Sequence, residues 1–230
     1  MEATEGGNNN EKKKKEENAM EEDWVGDGGR RAATRRSGAF FPELCSPAPV
    51  QLTVWCKSLL FNGHGYTVYD DADGRMVFRV DNYAHNWRQQ AVLMDCAGHV
   101  LLTVRRCRKI LNLKESWEAY KGDQDVEDMV REQRPLFKAT KDLGCHSCTI
   151  SMFNQDGFQP LLGYRMSWSR EKECTKIYQS AANTLVAEVS RKYGSMSKKL
   201  LDKDVLTLTV QPGMDQALAM AMIMITNSMG

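Results

Sequence analysis

The chain has no bias toward one charge and no long apolar run. Its 230 residues carry a formal net charge of only +1 at pH 7. The basic excess of a protein that coats nucleic acid is missing, so no direct nucleic acid partner is expected. No uninterrupted apolar stretch reaches the roughly 20 residues of a membrane span. The N-terminus is rich in Glu, Lys and Asn and lacks the apolar segment of a secretory leader. Residue 2 is Glu2, not the glycine of a myristoylation signal. The seven cysteines are an odd number and, with no leader, read as reduced thiols of an intracellular protein.

Catalytic and metal motifs are equally scarce. There is no Gly-x-Ser-x-Gly elbow. Cys145-His146-Ser147-Cys148 supplies half of a structural zinc site, but Cys174 is isolated and His99 belongs to a different hairpin, so the second pair of ligands is missing. The βαβ context of a thioredoxin-like redox pair is also absent. Asn62-Gly63-His64-Gly65 is glycine-rich without the Lys-Ser/Thr ending of a phosphate loop. Asp70, Asp71 and Asp73 lie in a stretch too short for a calcium loop and without its closing Glu, and read as turn residues. No enzyme activity, metal or cofactor is expected.

What the chain does contain is organised in two parts. Residues 1–45 read as a disordered charged tail, with Asn8 to Asn10, Lys12 to Lys15, an acidic cluster at Glu21 to Asp23, and the pairs Arg30-Arg31 and Arg35-Arg36. Almost nothing apolar precedes Phe40 to offset the entropy of ordering. Such basic runs can also serve as nuclear-import signals. Residues 46–230 form the folded domain. Leu52, Val54 and Cys56 share one face of a strand by the period-two rule. Tyr66 to Tyr69 and Met76 to Val80 form a hairpin around Asp73-Gly74, and Val92 to Cys96 and Val100 to Arg106 another around Ala97-Gly98. Further strands fall at Ser116 to Tyr120, Leu136 to Thr140, Cys148 to Phe153, Gly163 to Trp168, Lys176 to Ser180, Thr184 to Ser190 and Val205 to Val210. Asn154 to Gly157 is a turn, and residues 121–134 a charged loop. This many short strands point to a sandwich or closed barrel.

The end of the chain breaks the pattern. Met214 to Ile225 is built from Ala, Met, Leu and Ile, which favour helix. Pro212-Gly213 stops the preceding strand, and Asp215 stands where an acidic residue suits a helix N-terminus. Its apolar residues cover the whole helical wheel, so a helix over about 214–226 must be buried on all sides. At roughly half the length of a membrane span, it fits the inside of a barrel.

Three blocks then resemble the plant LURP-one-related family. They are WCKSLLFNGHGYTVYDDADGRMVFRVDNY (55–83), LMDCAGHVLLTVRRCRKILNLKESWEAYKGD (93–123) and LLDKDVLTLTVQPGMDQALAMAMIMI (200–225). The resemblance implies a mainly β fold shared with the Tubby C-terminal domain and phospholipid scramblases, a closed antiparallel barrel of about twelve strands around a C-terminal hydrophobic helix. It implies a non-enzymatic binding or regulatory module that docks reversibly on anionic phospholipid such as phosphoinositide, with an association with plant defence. A protein–protein adaptor and a scramblase-like lipid handler are the alternatives. The chain departs from the family pattern in its long charged N-terminus, in the Met and Ala of its terminal helix and in its short C-terminal tail.

Two basic clusters are the candidate lipid- or anion-binding residues. Arg105, Arg106, Arg108 and Lys109 follow one strand, and Arg191, Lys192, Lys198 and Lys199 flank the loop before the last. The expectation is a monomeric, intracellular protein, cytoplasmic with a membrane-associated or nuclear pool, whose partners are an anionic phospholipid surface or other proteins.

Overall fold

The structure is a computed structural model describing residues 39–56, 65–83, 90–107, 114–123, 134–153, 161–169, 171, 173–193, 201 and 204–228. Twelve strands follow one another: β1 Val50–Trp55, β2 Tyr66–Asp70, β3 Met76–Tyr83, β4 Gln90–Asp95, β5 Val100–Cys107, β6 Ser116–Lys121, β7 Phe137–Lys141, β8 Ser147–Met152, β9 Leu161–Ser169, β10 Cys174–Gln179, β11 Thr184–Arg191 and β12 Val205–Val210. Among the described residues one α-helix, α1 Gln216–Ser228, follows the strands. Each strand pairs antiparallel with its neighbours in sequence, and β1 pairs with β12 from Val50↔Val210 to Trp55↔Val205, closing the barrel. Closure leaves no strand edge unpaired.

The alternation read from the sequence decides what faces inward. Leu52 and Val54 of β1, Leu102 and Val104 of β5, Met166 of β9, Ile177 of β10 and Leu208 and Val210 of β12 are buried around α1. Ala217, Leu218, Ala219, Met220, Ala221, Met222, Ile223, Met224 and Ile225 are buried in an unbroken run. A helix apolar all round is thus enclosed all round, as expected. The expected hairpins form at their glycine turns. Gly74 and Gly98 have φ of 72° and 90°, a conformation in which a side chain would be strained.

In an even meander all odd-numbered strands run one way. We call the end where they finish the mouth and the opposite end, where α1 enters, the base. Asp215 anchors the base. Its Oδ1 accepts the Leu218 N–H at 3.1 Å, capping α1, and its Oδ2 accepts the N–H groups of Phe40 (3.1 Å) and Phe41 (2.9 Å). Cys45 bridges to Asp215, and Gly213 N–H donates to Ser46 O at 2.8 Å.

That contact corrects the expected boundary. Residues 39–45, assigned to the tail on composition, belong to the barrel: Phe41 is buried in the core and Pro42–Leu44 forms a 3-10 turn. Two adjacent aromatics supply the apolar area that the preceding charged residues lack. The strand limits also shift, with β4 starting at Gln90, β9 at Leu161 and β10 at Cys174. Asn62 to His64 of the glycine-rich stretch, the Asn154–Gly157 turn and most of the 121–134 loop lie outside the described residues.

Candidate functional site

The mouth concentrates the exposed apolar side chains. Among the described residues, four large hydrophobics are exposed: Trp55 (50%), Leu143 (66%), Tyr193 (62%) and Leu201 (38%). Trp55 ends β1, Leu143 lies in the β7–β8 turn, and Tyr193 and Leu201 lie between β11 and β12, so all four are at the mouth. Three of them gather over adjacent strands. Trp55 pairs in register with Val205, whose carbonyl accepts the Lys192 N–H at 3.0 Å, and the Lys192 carbonyl accepts the Leu201 N–H at 2.9 Å. Trp55 also meets Tyr69 edge to face, with ring centroids 6.3 Å apart. An outward Trp55 was legible in the sequence, because it is out of phase with inward Leu52, Val54 and Cys56.

The structure places four of the eight candidate cations, and they divide by strand parity. Arg106 has the inward parity of Leu102 and Val104. It sits over the Trp117 ring, 5.8 Å from the centroid, and pairs with Glu115, which Lys141 also meets at 3.2 Å. Arg191 has the inward parity of Ala187 and Val189 and lies opposite Leu206 in register. Its Nη1 is 3.0 Å from Glu173 and its Nη2 donates to Leu201 O at 3.2 Å. Arg105 points outward over Tyr120 at 5.3 Å. Lys192 points outward, 2.6 Å from Asp71, and also donates to Thr53. Arg108, Lys109, Lys198 and Lys199 lie outside the described residues.

Both clusters therefore share one end of the barrel, but not one patch. β5 and β11 stand six strands apart around the ring in either direction. One inward guanidinium from each cluster faces the mouth from opposite walls, while Arg105 and Lys192 turn to the outside.

Between α1 and the wall, the mouth holds a cavity of about 220 Å³. Trp168, Val189, Leu206 and Ile223 form its apolar sides, with Glu173 and Thr226 also lining it. The helix is enclosed along its buried run, but its last turn leaves room beside β9 to β12.

The buried thiols are poor nucleophiles. Burial, reinforced by the Glu118 carboxylate, pushes Cys107 up to about 11, and burial beside Asp142 pushes Cys148 up to about 12. Cys145 is exposed and Cys148 buried, so the two sulfurs of the Cys-x-x-Cys do not share one environment. Asp70 and Asp73 are occupied as turn acceptors, for the N–H groups of Ala72 and Arg75, both at 2.9 Å.

The family profile described as LURP-one-related matches residues 50–227, the barrel and its helix together. The chain belongs to the LURP-one-related family. Protein LURP-one-related 8 of Arabidopsis thaliana is 37% identical over 196 residues, covering 82% of this chain and 94% of the relative. Protein LURP-one-related 5 of the same plant is 36% identical over 180 residues, covering 76% and 80%. A crystal structure of an Arabidopsis thaliana protein superposes with a TM-score of 0.55 at 18% identity, covering 82% of this chain and 95% of the other. It shares the LURP-one-related chain's fold, a twelve-stranded barrel with a central helix.

Proposed function

We propose that the protein is a non-enzymatic binding module that docks mouth-first and reversibly on an anionic phospholipid surface. The observation carrying this reading is the gathering of Trp55, Leu143, Tyr193 and Leu201 at the end that also bears Arg105, Arg106, Arg191 and Lys192. Trp and Tyr partition to the boundary between headgroups and acyl chains, where one side of the ring is apolar and the other wet. Each cation close to an anionic leaflet adds about 1 kcal/mol. Here the contribution is smaller, because Arg106, Arg191 and Lys192 already hold carboxylates that must be shared or displaced. The resulting attachment is weak, salt-sensitive and reversible.

Among the described residues, no helix is long and apolar enough to cross a membrane. The scramblase-like alternative would require α1 to leave the barrel, exposing the core that nine consecutive buried residues now fill. A role in plant defence and a cytoplasmic protein with a membrane-associated pool go with the docking reading.

Co-sedimentation with vesicles tests it, using phosphatidylcholine alone and phosphatidylcholine with phosphatidylserine and phosphoinositide, each at low and high salt. Binding confined to the anionic vesicles, weakened by salt and by Trp55→Ala with Tyr193→Ala, is expected. Charge reversal at Lys198 and Lys199 should abolish it. No binding to either vesicle would overturn the reading and leave a protein partner as the occupant of the mouth.

A further inference from the structure

The cavity beside the last turn of α1 has the shape and chemistry of a site for one amphiphile. Trp168 from β9, Val189 from β11, Leu206 from β12 and Ile223 from the helix are its apolar lining, and Ser169, Glu173, Cys174, Thr175 and Thr226 complete it. An apolar cavity of about 150 Å³ holds a six-carbon ring. The 220 Å³ here takes, in proportion, an alkyl chain of about nine carbons. This space is not lined by apolar side chains alone. Glu173 is part of the lining, and Arg191, beside the space and not among its lining residues, lies on the inward face directly across from Leu206. The Arg191 side chain is three-quarters buried, and its Nε, shielded from solvent, has no hydrogen-bond partner. A guanidinium largely shielded from solvent favours an anionic oxygen within reach of its outer nitrogens, here that of Glu173. Its present ionic partner, Glu173, lines the same cavity and has a side chain 53% exposed. Glu173 can therefore return to water when another anion takes its place.

We propose that this cavity binds the alkyl tail of a single-chain anionic amphiphile, with its carboxylate or phosphate head on Arg191 in exchange for Glu173. The assignment deepens the docking reading and takes the class of ligand from it. The same chemistry is offered by a free fatty acid or by one chain of a membrane lipid, and the two sources separate experimentally. Arg106, six strands away across the mouth, is not part of the site.

The test is calorimetric titration of the full chain with octanoate, decanoate, decyl phosphate and uncharged decanol, all below their micelle concentrations. Saturable one-to-one binding of decanoate and decyl phosphate is expected. Each added methylene should tighten it about fourfold until the cavity is full. Arg191→Gln should weaken decanoate about tenfold and leave decanol unchanged, whereas Glu173→Gln should tighten decanoate. Leu206→Trp should remove binding of all four. Because that variant can perturb the barrel, the site is also located in the wild type, where decanoate should protect cavity-lining Cys174 from alkylation and leave exposed Cys96 unprotected. Absence of saturable decanoate and decyl phosphate binding, or affinity indifferent to chain length, overturns the proposal. If vesicle co-sedimentation persists in that case, only the amphiphile site falls; if it is lost too, the docking reading falls with it. If decanoate binds and vesicles do not, the ligand is a free amphiphile.

Discussion

Replacing Asp215 by alanine removes three hydrogen bonds with one side chain. Its Oδ1 caps α1 through Leu218, and its Oδ2 holds Phe40 and Phe41. Loss of an N-cap costs about 1 kcal/mol. The Phe40 and Phe41 N–H groups would each be left without an acceptor, at about 1 to 3 kcal/mol apiece, with half-buried Phe40 at the low end. The expected loss is therefore about 3 to 5 kcal/mol, a large share of the roughly 5 to 15 kcal/mol available to a domain. Asparagine retains one acceptor oxygen but turns its amide toward the remaining donors, so Asp215→Asn should lose about half as much. Urea unfolding followed by tryptophan fluorescence measures both, and the midpoint should fall at unchanged slope. A loss below about 1 kcal/mol in the alanine variant would refute the assignment of Asp215 as the anchor of the base.

The same side chain carries a pH signature. Burial lifts its carboxyl above the usual 3.8, against the pull of the N–H groups of Leu218, Phe41, Phe40 and Ala217. The folded state then holds this proton more tightly than the unfolded state does. Stability from Asp215 falls as pH rises from about 3.8 through its folded value and is constant above it. Glu118 has the opposite sign: despite the cost of burial, bonds from Tyr120, Cys107 and Lys138 hold it below 4.5, so its contribution is lost as pH falls. Asp215→Asn should remove the first slope and leave the second, as read from unfolding free energy across acidic pH.

Three further outcomes are expected. Leu218→Ala should cost about 3 to 5 kcal/mol, because the residue is fully enclosed at the barrel axis; chemical denaturation reads it. Gly163→Ala should cost about 1 to 3 kcal/mol, because its new Cβ would fall 2.1 Å from the Met152 Cγ. Combining it with Met152→Ala should cost less than the sum of the two single changes, since the clash goes with the side chain. Alkylation followed by mass spectrometry at mildly alkaline pH should label exposed Cys96 and Cys145 well before Cys107 and Cys148, which are buried to different degrees and hold their protons to about 11 and 12.

The barrel was legible because its signals are local. Period-two alternation in Met76, Phe78 and Val80, glycine turns at Gly74 and Gly98, and a helix without a polar face each decide one element from a few neighbouring residues. Closure was less local, since the β1–β12 register depends on residues about 150 apart in the chain; it was reached through the helix that needs enclosing on all sides, and again through the family resemblance. The site was harder. Sequence grouped Arg105 with Arg106 and Arg191 with Lys192, whereas strand parity sends one of each pair inward and the other out. The mouth cavity depends on where α1 ends relative to β9 and β12, which no local pattern encodes. Phe40 and Phe41 were hidden by their charged surroundings, although two adjacent aromatics are themselves a signal of burial.

The order of the chain has a consequence for how the molecule is made. The strands can pair as they emerge, each with the one before it, but the helix that fills the interior comes after all twelve. Until it is synthesised, the inward rows of Leu, Val, Ile and Phe have only one another to cover them, and β12 cannot close on β1 around its proper filling. A growing chain thus exposes inward-facing apolar rows until the helix follows its twelve strands, the kind of surface that chaperones hold and that aggregates when unattended. Synthesis of the helix is then also the step that seals the core, so a stop between Val210 and Gln216 leaves twelve strands without their filling.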